Sequence, residues 1–529
     1  MEDEKSGLNE MNSSEQKHEQ QYEEASEKSV TRVAVVGTGL AGLSTAYLLD
    51  QDKQKRFSVT VFEKTNAFSL DAASITMLHG KTGVKERVDM PPRSFCTGYY
   101  SNLCRMYDYL GIQLQQISLI WIFAAATSDT SASDATNSDG SDIMAGSYFI
   151  DGKGLHGLLL LWRHLWSKGV RQIFETLYLV FCHVWFYACC LLVAPRAVAA
   201  KVPDGAESGP AGAGVCETFG AYLRRIRLSR WYVNRYLLPV VGNVCSCPHA
   251  EALDSPASDM TGFVRGSFRQ KFYVNKDGIN RVQAKLSEGF KDVRLQARVL
   301  KVQPVDGKVV IRWQECAEGD DGKGAIHEEV FDRVVLAMAP NVAASIFDPA
   351  QPVMGSIPTS SIVSSLLAPL SSEISLVQEE NHVPEGQCTY RGGDTQTMVF
   401  RTNFSAEIVE SEALHYLPSG VIIKTSPSDA GEKSMKTLYT ARFPRTLRTV
   451  ESRRITDMIT RESNHQTKSA PGGSSSGDSD SDSDSERWYS GRDNVWVVGS
   501  WCWDGLVLLE GCVVSATRVA KEFGVEIPW

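Results

Sequence analysis

Hydrophobic and polar positions recur along this chain with two periods, and the places where the period changes mark its elements. Val30–Gly37 is a β-branched apolar run of strand length, Leu40–Leu49 is an Ala/Leu-rich stretch of helical character, and Phe57–Glu63 is a second strand. Together they predict a β-α-β unit. Further strands are expected at Val293–Gln303, Val309–Trp313, Val330–Met338 and Val495–Gly499, and helices at Gly220–Arg227, Ile279–Phe290 and Glu510–Phe523. This interleaving predicts an α/β fold, α+β overall. One stretch stands apart: Ile173–Ala194 is apolar over the length of a membrane-spanning helix, with Arg171 and Arg196 at its borders.

Three segments lack the apolar positions that a core requires. Met1–Ser29 is acidic, with neither an apolar run nor a basic leader, so it is expected to be a disordered tail and not a targeting signal. Ser128–Asp142 and Ser469–Glu486 are Ser/Asp-rich and predict loops inserted into a folded core. In the second, Ser479, Ser481 and Ser483 each precede an acid by three residues, which acidophilic kinases read, although a solvated spacer is the simpler reading.

Composition changes the picture in three respects. The 529 residues, 43% of them hydrophobic, can bury the core of one large or two ordinary domains. The formal net charge of -9 resides in the acidic segments, and the weakly basic remainder has no Lys/Arg stripe with interleaved aromatics, so nucleic acid is not an expected partner. The 12 cysteines lack the spacing of a secreted framework, and Cys189–Cys190 and Cys245-Ser246-Cys247 have no second half with metal-ligand spacing. Structural thiols, no metal, and a cytoplasmic, non-secreted protein follow as expectations.

The chemistry begins in the first predicted unit. Gly37-Thr-Gly39-Leu-Ala-Gly42 is a G-x-G-x-x-G sequence between predicted strand and predicted helix, and Glu63 ends the next strand about 20 residues on. Gly37 would permit the tight turn, Gly39 the approach of a pyrophosphate, and Gly42 close packing of helix on strand. The phosphates would then meet the helix N-terminus at Leu40 and Ala41. A carboxylate at Glu63 suits the adenosine ribose hydroxyls and disfavours a 2′-phosphate.

Near the C-terminus, Asn494-Val-Trp-Val-Val-Gly499-Ser-Trp501-Cys-Trp503 leads into Leu509-Glu510-Gly511-Cys-Val-Val-Ser515-Ala516. This resembles the flavin-binding signature of the flavin-containing amine oxidase superfamily, which includes monoamine oxidases, phytoene desaturases and protoporphyrinogen oxidase. Val88-Asp-Met-Pro-Pro-Arg93-Ser-Phe95, the Tyr99-Tyr100-Ser-Asn102-Leu103 stretch and Asp71-Ala-Ala-Ser-Ile are similar to a subgroup of FAD/NAD(P)-binding oxidoreductases found in bacteria and fungi. The resemblance implies a Rossmann-type FAD-binding domain with an interleaved mixed-sheet and helical substrate domain, as in amine oxidases and p-hydroxybenzoate hydroxylase. It implies FAD contacts at Gly37, Gly39, Leu40, Ala41, Gly42, Glu63, Lys64, Arg93, Val299, Gly499, Glu510 and Gly511. In the family, the C-terminal helix N-terminus faces the flavin pyrimidine edge, where it stabilises negative charge on the reduced ring. Where family members carry Gly-Gly-Arg after the ribose-binding Glu, this chain has Ala67-Phe68-Ser69, and the lysine that many place near the flavin N5 has no counterpart in the sequence reading.

Trp501-Cys502-Trp503 raises the possibility of a thioether to flavin or an aromatic cage, but covalent cysteines of the family sit in differently spaced motifs. Non-covalent FAD and packed tryptophans are therefore expected. A membrane span at Ile173–Ala194 would separate the two flavin-binding parts, which leaves a helix buried in the substrate domain or one lying on a membrane face. With Leu158–Trp166 upstream, either predicts a lipophilic pocket, and His183 is expected to be a packed histidine.

The predicted division is a leader (1–29), FAD-binding parts at 30–111, 271–347 and 488–529, substrate parts at 112–270 and 348–468, and an insert at 469–487. The expected function is hydride transfer from a lipophilic small molecule to flavin. The alternatives are an isomerase or saturase of a lipid or isoprenoid, and a non-catalytic scaffold at a membrane.

Overall fold

The computed structural model describes residues 30–126, 147–152, 170–198, 215–316, 324–377, 395–404, 409–427, 435–461 and 487–529. The acidic leader, both Ser/Asp-rich inserts and Leu158–Trp166 lie outside the described residues.

The N-terminal unit consists of β1 (Thr31–Val36), α1 (Leu40–Asp50) and β2 (Phe57–Phe62). It belongs to a parallel sheet in the order Asp292–Arg294, β2, β1, Arg333–Leu336, Val495–Val497. Val33, Ala34 and Val35 of β1 are all fully buried, because a strand covered on both faces needs a continuous apolar run instead of an alternating one. The strand Val495–Val497 closes one edge, bringing the last helix of the chain onto the first unit.

Two predicted strands are each divided. In Val293–Gln303, Asp292–Arg294 pairs with β2, whereas Ala297–Val305 turns away into a three-stranded sheet, with Gln296 at φ +53 between them. Val330–Met338 divides at Asp332: Ile326–Phe331 completes the three-stranded sheet and Arg333–Leu336 pairs with β1. The Asp332 carboxylate accepts from the Arg32 backbone N–H at 2.8 Å and holds the bend. Apolar residues continue through both bends, so periodicity alone does not mark them.

A second, larger sheet escapes the sequence reading almost completely. Its strands run in the order Met435–Thr446, Thr359–Pro369, Ile422–Ser426, Glu410–Tyr416, Thr395–Asn403, Leu114–Ala125, Phe272–Asn275, Phe95–Cys96. Its register is continuous: Ala441 lies opposite Ser364, Ser364 opposite Thr425, Thr425 opposite Ala413, Ala413 opposite Phe400, and Phe400 opposite Phe123. One face therefore carries every second residue of six strands.

Helices cover both sheets. α2 (Ser101–Tyr109) follows the edge strand Phe95–Cys96 and packs against the last helix of the chain, and α3 (Val170–Leu192) extends the predicted apolar helix. α4 (Leu509–Glu522) packs along α1 and closes the chain on its own N-terminal unit, with the Phe57 and Phe523 rings 5.9 Å apart.

Candidate active site

The glycines of the first turn do different jobs. Gly37 has φ +103, and a Cβ there would lie 2.5 Å from the Ala337 carbonyl oxygen. A Cβ on Gly42 would lie 1.9 Å from the Gly37 carbonyl oxygen, so helix and turn touch through backbone. At Gly39 a Cβ would meet nothing within 4 Å, because this residue faces open space at the head of α1. α1 has no side-chain cap, and Gly39 and Leu40 line a cavity in front of it. Its first backbone N–H groups are thus available to an anion.

Glu63 is buried at the end of β2 and well supplied with donors. One oxygen accepts from the Thr38 backbone at 3.2 Å and from its hydroxyl at 2.5 Å, and the other from the Thr65 backbone and hydroxyl at 3.1 and 3.0 Å. The Ala67–Ser69 segment folds back on this knot, with the Ser69 backbone N–H donating to the Thr38 hydroxyl at 2.8 Å. The strand carrying Val299 is stitched to the same loop: Ala297 donates to the Glu63 carbonyl at 2.8 Å and Gln296 to the Thr65 carbonyl at 2.9 Å. Lys64 is exposed at its edge.

The C-terminal element meets this unit from the other side. The Ser515 hydroxyl accepts from the Gly499 N–H at 3.0 Å and donates to the Gly499 carbonyl at 3.1 Å, tying the strand end to α4. Gly511 is required by packing, since a Cβ there would lie 2.3 Å from the Trp503 ring and 2.4 Å from the Ser500 carbonyl oxygen. Trp501 donates to the Met338 carbonyl at 3.0 Å and Trp503 to the Leu506 carbonyl at 2.8 Å, so both indoles are built into the loop. The Glu510 carboxylate turns away from the cavity and caps α2, accepting from the Asn102 backbone and side chain at 2.9 and 2.7 Å and from the Leu103 backbone at 3.0 Å. What α4 presents to the cavity is its uncapped first turn, at Leu509 and Cys512. Cys512 faces the cavity, and burial pushes its thiol up to about 12, whereas Cys502 is buried outside the lining.

The two uncapped helix ends open on a cavity of about 1030 Å³. Arg93 lines it: Nη2 donates to the Leu70 carbonyl at 3.0 Å, and Nη1 is buried without a hydrogen-bond partner among the described residues. Beyond Arg93 the cavity runs over the face of the large sheet, where Phe123, Met398, Phe400 and His415 form its floor. The inner face of α3 covers it with Leu179, Phe186 and Tyr187. His183 also lines it, with Nδ1 3.0 Å from the Tyr232 hydroxyl. His415 is buried with neither ring nitrogen partnered among the described residues, and burial holds its pKa down at about 4. These floor residues were invisible in the sequence; alternating apolar positions in the register above were the available signal.

The flavin-containing amine oxidoreductase model matches residues 228–523, more than half of the chain. The chain belongs to this family. An NAD(P)-binding Rossmann-like domain model also matches residues 35–110. No curated protein matches the chain in sequence. Among solved structures, the CLA-producing fatty acid isomerase from P. acnes is 12% identical over 94% of this chain and 99% of its own, with a TM-score of 0.51. An Exiguobacterium protein assigned as a protoporphyrinogen oxidase is 14% identical over 94% of this chain and 100% of its own, at 0.49. A redesigned putrescine oxidase is 12% identical over 93% and 98%, at 0.47. The isomerase shares the fold.

This family member is an FAD-dependent oxidoreductase of α/β architecture. The residues present fit the cofactor: the space over Gly39, two uncapped helix N-termini and the unpartnered Arg93 Nη1 supply donors where a diphosphate and an electron-rich ring require them.

Proposed function

We propose that this enzyme oxidises a lipophilic small molecule that it receives from a membrane surface. In this reading Gly39, Leu40, Ala41 and Arg93 hold the FAD diphosphate, with Gly37 and Gly42 shaping the turn; the loop at Glu63, Lys64 and Val299 takes the adenosine end; and Gly499 and the first turn of α4 take the flavin end, with Glu510 and Gly511 fixing that turn in place. FAD supplies the two-electron acceptor for a hydride from a substrate C–H bond, and dioxygen or another acceptor takes the electrons onward. The chain's own contribution is to orient the substrate, exclude water and offer backbone N–H groups to developing charge.

The observation that carries the substrate class is the cavity floor and roof, aromatic and aliphatic from Phe123 to Phe186. The membrane reading rests on α3. Its inner stripe, Leu179, Cys182, Phe186, Cys189 and Cys190, is buried. Its outer stripe is also apolar, with Phe174 69% exposed, Leu177 60%, Phe181 63% and Leu192 83%, none of them lining the cavity. Ile173–Leu192 is long and apolar enough to cross a membrane, but its inner stripe is buried in the enzyme, with Leu179 and Phe186 lining the cavity, which favours lying on a bilayer over crossing it.

Charge supports the same orientation. The elements packed against α3, residues 219–235 and the helix Ala257–Ser267 with the segment after it, carry one acid up to residue 276, Asp259, which is buried and paired with Arg453. They expose Arg224, Arg227, Arg230, Arg265, Arg269 and Lys271. A basic rim around an apolar helix face fits an anionic lipid surface.

Two experiments test the parts separately. Anaerobic mixing should bleach the flavin with apolar amines or lipids and leave it oxidised with hydrophilic polyamines; equal bleaching by both would refute the lipophilic pocket. Product analysis separates oxidation from isomerisation. Flotation with anionic vesicles should carry the protein upward, and Phe174→Asp with Leu192→Asp should leave it in the dense fraction. An unchanged distribution would refute docking through α3.

A further inference from the structure

Besides Arg93, the cavity lining holds a buried-Nε arginine, Arg445, that the family signature does not include. Arg445 lies near the end of the outermost strand of the large sheet, opposite Ser360 and on the same face as the cavity-lining Phe443. It lines the cavity itself, and its Nε is shut off from solvent without a hydrogen-bond partner among the described residues. Its Nη2 makes a long 3.4 Å bond to the Val507 carbonyl, in the loop before α4. No described carboxylate forms an ion pair with it.

The carboxylates that line the cavity and the neighbouring Arg87 are already engaged, and Arg269 is exposed at the rim. Glu86 pairs with His79 at 2.8 Å, Arg87 pairs with Asp71, and Asp89 accepts from the Ile279 backbone N–H at 3.2 Å. Arg445 therefore stands in an apolar enclosure with donors to spare. Holding a guanidinium there without a counter-charge is costly, and burial already works against its charged form. A planar fork of N–H donors suits a carboxylate, which it can grip with two parallel bonds.

We propose that Arg445 is the anion-binding residue of the substrate pocket and that the substrate is an amphipathic carboxylic acid, its apolar body on the sheet floor and its carboxylate on the guanidinium. This rests on the lipophilic-pocket reading above and adds a charge requirement to it. Arg93, at the α1 side, remains with the cofactor. Arg93 and Arg445 thus divide the cofactor's and the substrate's anions between them.

The test uses the FAD-loaded protein and two probes of one chain length, oleate and oleyl alcohol, with binding read from the change in the visible flavin spectrum. Oleate should bind at least about tenfold more tightly than the alcohol, the scale of a charge-assisted pair. Arg445→Met should abolish that preference while retaining FAD and the alcohol's affinity, and Arg445→Lys should restore part of it. Equal binding of both probes to the unmodified protein, or an oleate preference that survives Arg445→Met, would overturn the carboxylate subsite and leave the lipophilic pocket standing. Binding of neither probe would overturn both. Loss of FAD from Arg445→Met would assign the guanidinium to the cofactor and overturn the proposal.

Discussion

The two ends of the cavity are built on opposite principles. The cofactor end consists of backbone: glycines that let chain segments touch, two helix N-termini left uncapped, and side chains such as Glu63 and Glu510 spent on holding loops and helices in place. The substrate end consists of side chains, projected from alternate positions of six strands and from one stripe of α3. A diphosphate can be recognised by any properly placed N–H, so its site tolerates little change in backbone and much in side chain. An apolar pocket has the reverse tolerance, which is how one family fold serves unrelated substrates.

The sharpest way to break this contrast is within one motif. Gly42→Ala drives a methyl group into the Gly37 carbonyl, and should destabilise the protein by about 3 kcal/mol or more, as an insertion with nowhere to relax. Gly39→Ala meets only open space, so its thermal unfolding should match the parent within about 0.5 kcal/mol while FAD affinity falls about tenfold or more. Equal destabilisation by the two would erase the distinction between a packing glycine and a cofactor glycine.

Glu510→Ala removes three hydrogen bonds from the head of α2 and should cost about 3 kcal/mol in denaturant unfolding. Its effect on flavin affinity should be secondary. A variant of unchanged stability that loses flavin would move Glu510 from scaffold to cofactor contact.

At the substrate end the corresponding test is pH. The His415 pKa is depressed from 6.5 to about 4, so the unfolded chain takes up a proton that the folded one refuses. Stability is therefore complete above pH 6.5, declines as the pH falls from there towards about 4, and loses at most about 3 kcal/mol through this residue. His415→Leu should flatten that part of the stability profile, and an unaltered slope would contradict a buried neutral imidazole. The smallest effect is expected on the outer stripe of α3: Phe174→Asp should change unfolding free energy by less than about 0.5 kcal/mol, because its ring is 69% exposed. A large loss would mean that this face packs against the protein itself.

The same contrast explains what could be read from the sequence. The cofactor end is written in contiguous residues, so Gly37 to Gly42 and Glu63 stand out by spacing, and Glu510-Gly511 by resemblance to the family's C-terminal signature. Even there, the capping role of Glu510 depends on Asn102, some 400 residues away, and has no local mark. The substrate end depends on which strands pair. Ala413 faces the cavity because Glu410–Tyr416 lies between Thr395–Asn403 and Ile422–Ser426, and that order is not encoded in any one of the three segments. The divided strands at Gln296 and Asp332 fail for the same reason: a bend between two sheets keeps its apolar period while changing partners. Ile173–Ala194 was conspicuous by length, but its two-sided character, one stripe on the cavity and one facing outward, required its neighbours to be in place.

The most direct test of the cofactor cradle is the visible absorption spectrum of the purified protein, taken before and after dithionite and again after acid precipitation. Flavin bands that bleach on reduction and pass into the acid supernatant are the predicted result, since no residue lining the cavity is expected to hold FAD covalently. A folded, colourless protein that added FAD cannot reconstitute would contradict the cradle at Gly39 and α4.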